Sequence, residues 1–209
     1  PGQPFATFRT SCRSASIRHQ KPSAIFSLEM TGSEIAMRML SAEAKVNVSQ
    51  MRGGGRSQRD WDAIAKAMPR VQSAPMVIDD SPNMTMPEIR SKARRIKKQH
   101  GLEFMVIDYL QLMTSGKRVE NRQVEVSEFS RQIKLLAKEL EIPVVAISQL
   151  NRGSEQRTDK TPMLSDLRES GSIEQDADIV LLLNRPDAYG AGESERPGEA
   201  DIIIAKNRS

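Results

Sequence analysis

Short apolar runs alternating with longer helical periodicities predict an α/β domain built on a mostly parallel central sheet flanked by helices. Two further observations support that class. Residues spaced as capping boxes open two of the helical stretches. The composition, 38% hydrophobic and 28% charged over 209 residues, is that of a water-soluble folded chain with enough length for a sizeable core.

Residues 24–27 read as the first strand. A helix follows over 32–45, with Thr31 and Glu34 at capping-box spacing. Gly53, Gly54 and Gly55 break the chain, and a second helix over 58–68 carries Trp61, Ile64 and Ala65 at i, i+3, i+4, which predicts one buried face. Residues 76–79 form the next strand. Thr85 and Glu88 repeat the capping spacing, with Pro87 near the first helical position, and open a helix through Ile89, Ala93 and Ile96. The charged face of that helix, Arg90, Lys92, Arg94, Arg95, Lys97 and Lys98, reads either as a solvated surface or as a partner or nucleic-acid contact. Residues 104–108 are an apolar strand ending in a carboxylate. Val126, Phe129, Ile133, Leu136 and Leu140 then recur every three or four residues on a long helix that Pro143 stops. Residues 144–148, 178–183 and 201–205 complete the strands, the last two read as buried. A connection rich in Gly, Pro and Glu, 186–199, precedes the final strand.

The same composition excludes several classes. Cys12 is the single cysteine, so no internal disulfide forms, which fits a reducing cytoplasm; with only His19 and His100 there is no Cys/His zinc cluster. The longest aliphatic runs fall far short of the roughly 20 residues that span a bilayer, so no membrane role is expected. Residues 1–13 lack the apolar stretch of a secretory signal, and the missing initiator Met is expected of an incomplete chain. A net charge of +4 permits nucleic-acid binding without requiring it.

Chemistry concentrates at strand ends. Asp108 closes the apolar run Met105-Val106-Ile107, and ligands of parallel sheets sit beyond that carboxyl edge, where an aspartate can hold Mg²⁺ through water. Many core strands also simply end in Asp. Glu29 follows Phe26-Ser27-Leu28 in the same way and reads either as a general base or as a charge favouring the next helix N-terminus. Gln149, after Ala146-Ile147-Ser148, places an amide where a γ-phosphate could be sensed, or else solvates a loop. The stretch 165–178 is dense in polar groups and contains Gly171, as a loop approaching a nucleic-acid backbone would be, although its spacing alone gives only a capped turn. Lys206 and Arg208, two apart on an extended segment, point to one side as a phosphate clamp would.

Together the stretches FSLEM, IDDSP, RSKARRI, VIDYLQLM, RQVEVSEFSRQIKLLAKEL, IPVVAISQLNR, DLRESGSIEQDAD and IIIAKNR resemble, in order, the C-terminal motor domain of the DnaB-type replicative DNA helicases. That resemblance implies a RecA-like P-loop NTPase core, ATP hydrolysis with Mg²⁺ between subunits of a homo-hexamer, and 5′ to 3′ translocation on single-stranded DNA. Primase and a helicase loader are its implied partners. It makes Glu29 the water-activating glutamate, Asp108 the Walker B aspartate and Gln149 the γ-phosphate sensor. Lys206 and Arg208 become the residues that reach a neighbouring subunit's site, while Arg168, Glu169 and Gly171 fall on the DNA loop. One departure is marked: the P-loop G-x-x-x-x-G-K-[ST] expected before residue 14 is missing from residues 1–13. Residues 1–13 are therefore expected to be an atypical or artefactual edge, and 14–209 a motor domain incomplete at both ends. Another RecA-like ATPase of recombination or repair, and an inert ring-forming or DNA-binding subunit, are the alternatives.

Overall fold

The computed structural model describes residues 11–53, 57–116, 122–151, 157, 159–170, 172–188 and 198–208. After a helical turn, Ser14–Arg18, the elements in chain order are β1 (Ser23–Ser27), α1 (Gly32–Ala44), α2 (Val48–Arg52), α3 (Gln58–Gln72), β2 (Met76–Asp79), α4 (Met86–His100), β3 (Phe104–Asp108), α5 (Arg122–Leu140), β4 (Val144–Ala146), α6 (Ile173–Asp176), β5 (Ile179–Asn184) and β6 (Asp201–Asn207). The first four strands form one parallel sheet in the order β2-β1-β3-β4, and the last two form a separate antiparallel ribbon.

The interiors of β1 and β3, Ala24-Ile25-Phe26 and Met105-Val106-Ile107, are apolar because the sheet is covered on both faces. The strand period of two sends Ala24, Phe26, Met105 and Ile107 to one side, where α4 and α5 supply Ile89, Ala93, Ile133 and Leu136. Ile25 and Val106 point the other way, onto Ile35 and Met39 of α1 and onto Cys12. Burial pushes the Cys12 thiol up to about 12, so it packs as a small apolar group. The predicted seam of α5 is buried as a unit: Val126, Phe129, Ile133, Leu136 and Leu140.

Both capping boxes form. Thr31 Oγ1 accepts from Glu34 N at 3.3 Å, and the Glu88 carboxylate accepts from Thr85 N at 2.8 Å. The charged face of α4 is largely used within the chain. Arg90 and Arg94 both pair with Glu139 of α5, Lys92 pairs with Asp79 at 2.7 Å, and Lys97 Nζ donates to Leu102 O at 2.9 Å. Arg95 and Lys98 remain exposed.

Three expectations are corrected. Trp61 is 49% exposed and Ala65 is exposed, because the buried arc of α3 is centred on Ile64 and Ala67, with Met68 and Val71, facing Leu40 of α1 and Val46. β4 ends at Ala146 rather than at residue 148, because beyond it Ile147 O accepts from Leu110 N of the turn after β3 and the Gln149 backbone pairs with the Gln111 side chain instead of a neighbouring strand. Neither β5 nor β6 is fully buried: Ile179, Leu181, Ile202 and Ile204 are exposed, while Val180 and Leu182 join the core. A two-stranded antiparallel ribbon lays one face on the domain, so its burial alternates. Most of the 186–199 connection, residues 189–197, lies outside the described residues.

An interior ion pair ties the N-terminal turn to α1. Glu43, whose side chain is 3% exposed, accepts from Arg13 at 3.0 Å and from the exposed Arg70 at 2.7 Å. Truncating the carboxylate strands the mostly buried Arg13 guanidinium, so Glu43→Ala should cost about 3–5 kcal/mol. Arg70→Ala should cost less than about 1 kcal/mol. Urea unfolding of both variants measures the contrast.

Candidate functional site

Parallel pairing aligns the carboxyl ends of β1 and β3, with Ser27 opposite Asp108, and Leu28 N donates to Asp108 O at 2.7 Å. Ser27 then bends the chain. Its Oγ donates to Met30 O at 2.8 Å and accepts from Met30 N at 3.1 Å, a closed turn that leaves Glu29 exposed at the rim. Asp108, at the same rim, is completely buried. Tyr109 follows Asp108 across a cis peptide bond. Burial, followed by the negative charges of Glu29 and Asp108, raises its phenol above the usual value.

β4 delivers Gln149 to this edge. Ile147 N donates to Ile107 O at 2.9 Å and Leu110 N to Ile147 O at 3.0 Å, so the chain past β4 runs beside the end of β3. Gln149 is exposed, and its backbone is held by the side chain of Gln111. The structure thus brings Glu29, Asp108 and Gln149 to one edge of one sheet. At the end of β2 on that edge, Asp80 accepts from Gly32 N at 2.7 Å, placing a carboxylate on the N-terminus of α1. Lys21 lies at the opposite, amino edge, paired with Glu103 at 2.9 Å.

Asp108 and Glu29 supply hard carboxylate oxygens. Among the described residues no group of three or more His, Cys, Asp or Glu could hold a metal ion. That donor set would fit Mg²⁺, which needs only one or two carboxylates from the protein. No Gly-Lys-Ser or Gly-Lys-Thr occurs in the 209 residues to cradle phosphates, and residues 1–10 lie outside the described set.

The remaining expected residues lie elsewhere. Lys206 caps α6 within its own chain, its ammonium donating to Glu174 O and, at 3.4 Å, to Gln175 O. Arg208 N donates to Asp178 O at 2.9 Å. Lys206 lies in β6 and Arg208 just past its end. The backbone of Arg168 and Glu169 lies in a helical turn, Leu164–Ser170; their side chains and Gly171 lie outside the described residues. That turn is anchored by Asp166, which is 8% exposed and accepts from Arg157 Nη1 and Nη2 at 2.8 Å each and from Met163 N at 2.8 Å. The anchoring role of Asp166 and the bridging role of Gln111 went unread in the sequence. In Gln111 the signal was an amide between two leucines three residues past the end of β3.

A family model, the DnaB-like helicase C terminal domain, matches residues 5–209. The chain belongs to this family. It is 66% identical over 197 residues to the replicative DNA helicase DnaB of Mycobacterium intracellulare, covering 94% of this chain and 34% of that protein. Against DnaB of Geobacillus stearothermophilus it is 53% identical over 187 residues, covering 89% of this chain and 41% of that one. The chain therefore spans about a third of the length of the curated mycobacterial relative. Among solved structures, one described as an ATPase domain superposes with a TM-score of 0.90 at 36% identity, over 97% of this chain and 72% of that one. A DnaB-like replicative helicase, described with its interactions with primase, gives 0.90 at 36%, over 98% of this chain and 50% of that one. The fold class expected from the sequence, a RecA-like core with a mostly parallel sheet between helices, is the one observed. In the family's terms the stretches FSLEM, IDDSP and VIDYLQLM end β1, β2 and β3 at a common edge.

Arg157 holds the Asp166 carboxyl below its usual range, against the opposing effect of burial. A carboxyl with a lowered folded pKa contributes stability above its unfolded pKa, and that contribution disappears as pH falls through the folded value. Arg157→Ala should therefore narrow the difference in unfolding midpoint between pH 7 and pH 3, as thermal melts at the two pH values would show.

Proposed function

We propose that this chain is the ATP-driven motor of a replicative DNA helicase, working as a homo-hexamer that moves 5′ to 3′ on single-stranded DNA inside the cell, with primase and a helicase loader as partners. The observation that carries the reading is the convergence of Glu29, Asp108 and Gln149 on the carboxyl edge of a parallel sheet. The family's replicative DnaB helicases and the primase named with one structural neighbour support it.

At that edge Glu29, exposed and fixed by the Ser27 turn, takes the proton from the attacking water. Asp108 would hold Mg²⁺, which offsets the charge of the phosphates. Gln149 reads the γ-phosphate through its side-chain amide. Lys206 and Arg208 act in the site of the next subunit, so that hydrolysis depends on assembly. Arg168, Glu169 and Gly171 hold the DNA backbone, which makes binding independent of sequence and strongly weakened by salt.

A second reading, a ring-forming or DNA-binding subunit without hydrolysis, is favoured by one observation, the lack of Gly-Lys-Ser or Gly-Lys-Thr in the chain. Nucleotide binding and ATP hydrolysis, measured with and without single-stranded DNA, separate the two. Hydrolysis supports the motor; DNA binding without nucleotide binding supports the inert subunit. For the motor, Glu29→Gln should lower kcat by about 10²–10⁴-fold while ATP still binds, and Arg208→Ala should lower it by roughly 10³–10⁵-fold.

A further inference from the structure

Parallel β4 stops at Ala146, yet Gln149 three residues later is held as if the ladder continued. One side chain does this. Gln111, on the short turn Leu110–Leu112 after β3, accepts from Gln149 N through Oε1 at 3.2 Å and donates through Nε2 to Gln149 O at 3.2 Å and to Ser148 Oγ at 2.8 Å. An amide is suited to this, since its acceptor and donor match the N–H and C=O of a single residue.

Gln111 is itself fixed. Arg122 Nη2 donates to Gln111 O at 2.8 Å and to Met113 O at 2.6 Å, and Arg122 pairs with the buried carboxylate of Glu125 at the start of α5. Beyond Gln149, Asn151 N donates to Asp166 O at 3.2 Å, and Asp166 is the residue Arg157 clamps. Hydrogen bonds, joined between Gln149 and Asn151 by the backbone through Leu150, thus link α5, the end of β3, the end of β4 and the turn Leu164–Ser170.

We propose that Gln111 is a positioning residue: it sets Gln149 at the sheet rim and, through Asn151 and Asp166, couples that rim to the turn bearing Arg168 and Glu169. The inference rests on the reading of Gln149 as the phosphate-sensing amide and of that turn as the DNA loop.

The test is made on the full chain with Gln111→Ala and with the near-isosteric Gln111→Glu, which keeps an acceptor for Gln149 N but offers no donor to Gln149 O. Amide hydrogen exchange at Gln149 and Asn151 should quicken by about tenfold or more in Gln111→Ala and by less in Gln111→Glu, whose carboxylate still accepts from Gln149 N, with Val106 and Val145 in the sheet unchanged. In ATP hydrolysis stimulated by single-stranded DNA, kcat should fall about tenfold or more while KM for ATP stays within about twofold, a split that loosened packing alone would not give. Parental exchange at Gln149 and Asn151, or parental kcat in a variant whose exchange has quickened, overturns the inference. If the parent chain hydrolyses no ATP, it is the motor reading that fails, and exchange at Gln149 and Asn151 alone decides the role of Gln111.

Discussion

The parallel pairing of β1 with β3 is the constraint on which the rest of the molecule depends. Its register sets Ser27 against Asp108, and the Leu28 N–H bond to Asp108 O carries that alignment one step past the ladder. A slip of one residue would turn Phe26 and Ile107 toward the wrong face and exchange the buried Asp108 for an apolar neighbour. The apolar cost of such a slip fixes the positions of the polar groups. Packing thereby determines where chemistry is available, although no apolar residue takes part in it.

Beyond the ends of the strands, side chains take over from the backbone. Ser27 closes the turn that presents Glu29, Asp80 receives the first free N–H of α1, and Gln111 pairs with both backbone groups of Gln149. The Asp166 carboxylate, gripped by Arg157, accepts from Met163 N in the same way. Each of these bonds involves a side chain with a specific donor or acceptor pattern, so each is sensitive to a single substitution that would be harmless on a solvated surface.

The ribbon β5–β6 and the basic helix α4 show how the same sequence character can have different outcomes. Ile202 and Ile204 resemble core residues but lie on the open face of the ribbon, whereas Val180 and Leu182 on its other face complete the core above α5. Arg90 and Arg94, which resemble a patch for a partner, converge on Glu139 of the neighbouring helix. Exposed pairs of this kind add little to stability and chiefly fix the orientation of one helix on another.

The sequence by itself determined the elements whose signal is local and periodic: the strands of residues 24–27, 76–79 and 104–108, the capped starts of α1 and α4, and the buried seam of α5 from Val126 to Leu140. It also marked Glu29, Asp108 and Gln149, because a polar residue ending an apolar run is visible without coordinates. Only the tertiary structure decided that these three share an edge, that Trp61 and Ala65 face outward, that β5 and β6 pair antiparallel and stand half in solvent, and that Gln111 bridges two strand ends. Periodicity records how a segment relates to its own axis. Register, the choice of packing face and a hydrogen bond between residues 38 positions apart depend on which other segments lie alongside, and they exist only once the chain has closed on itself.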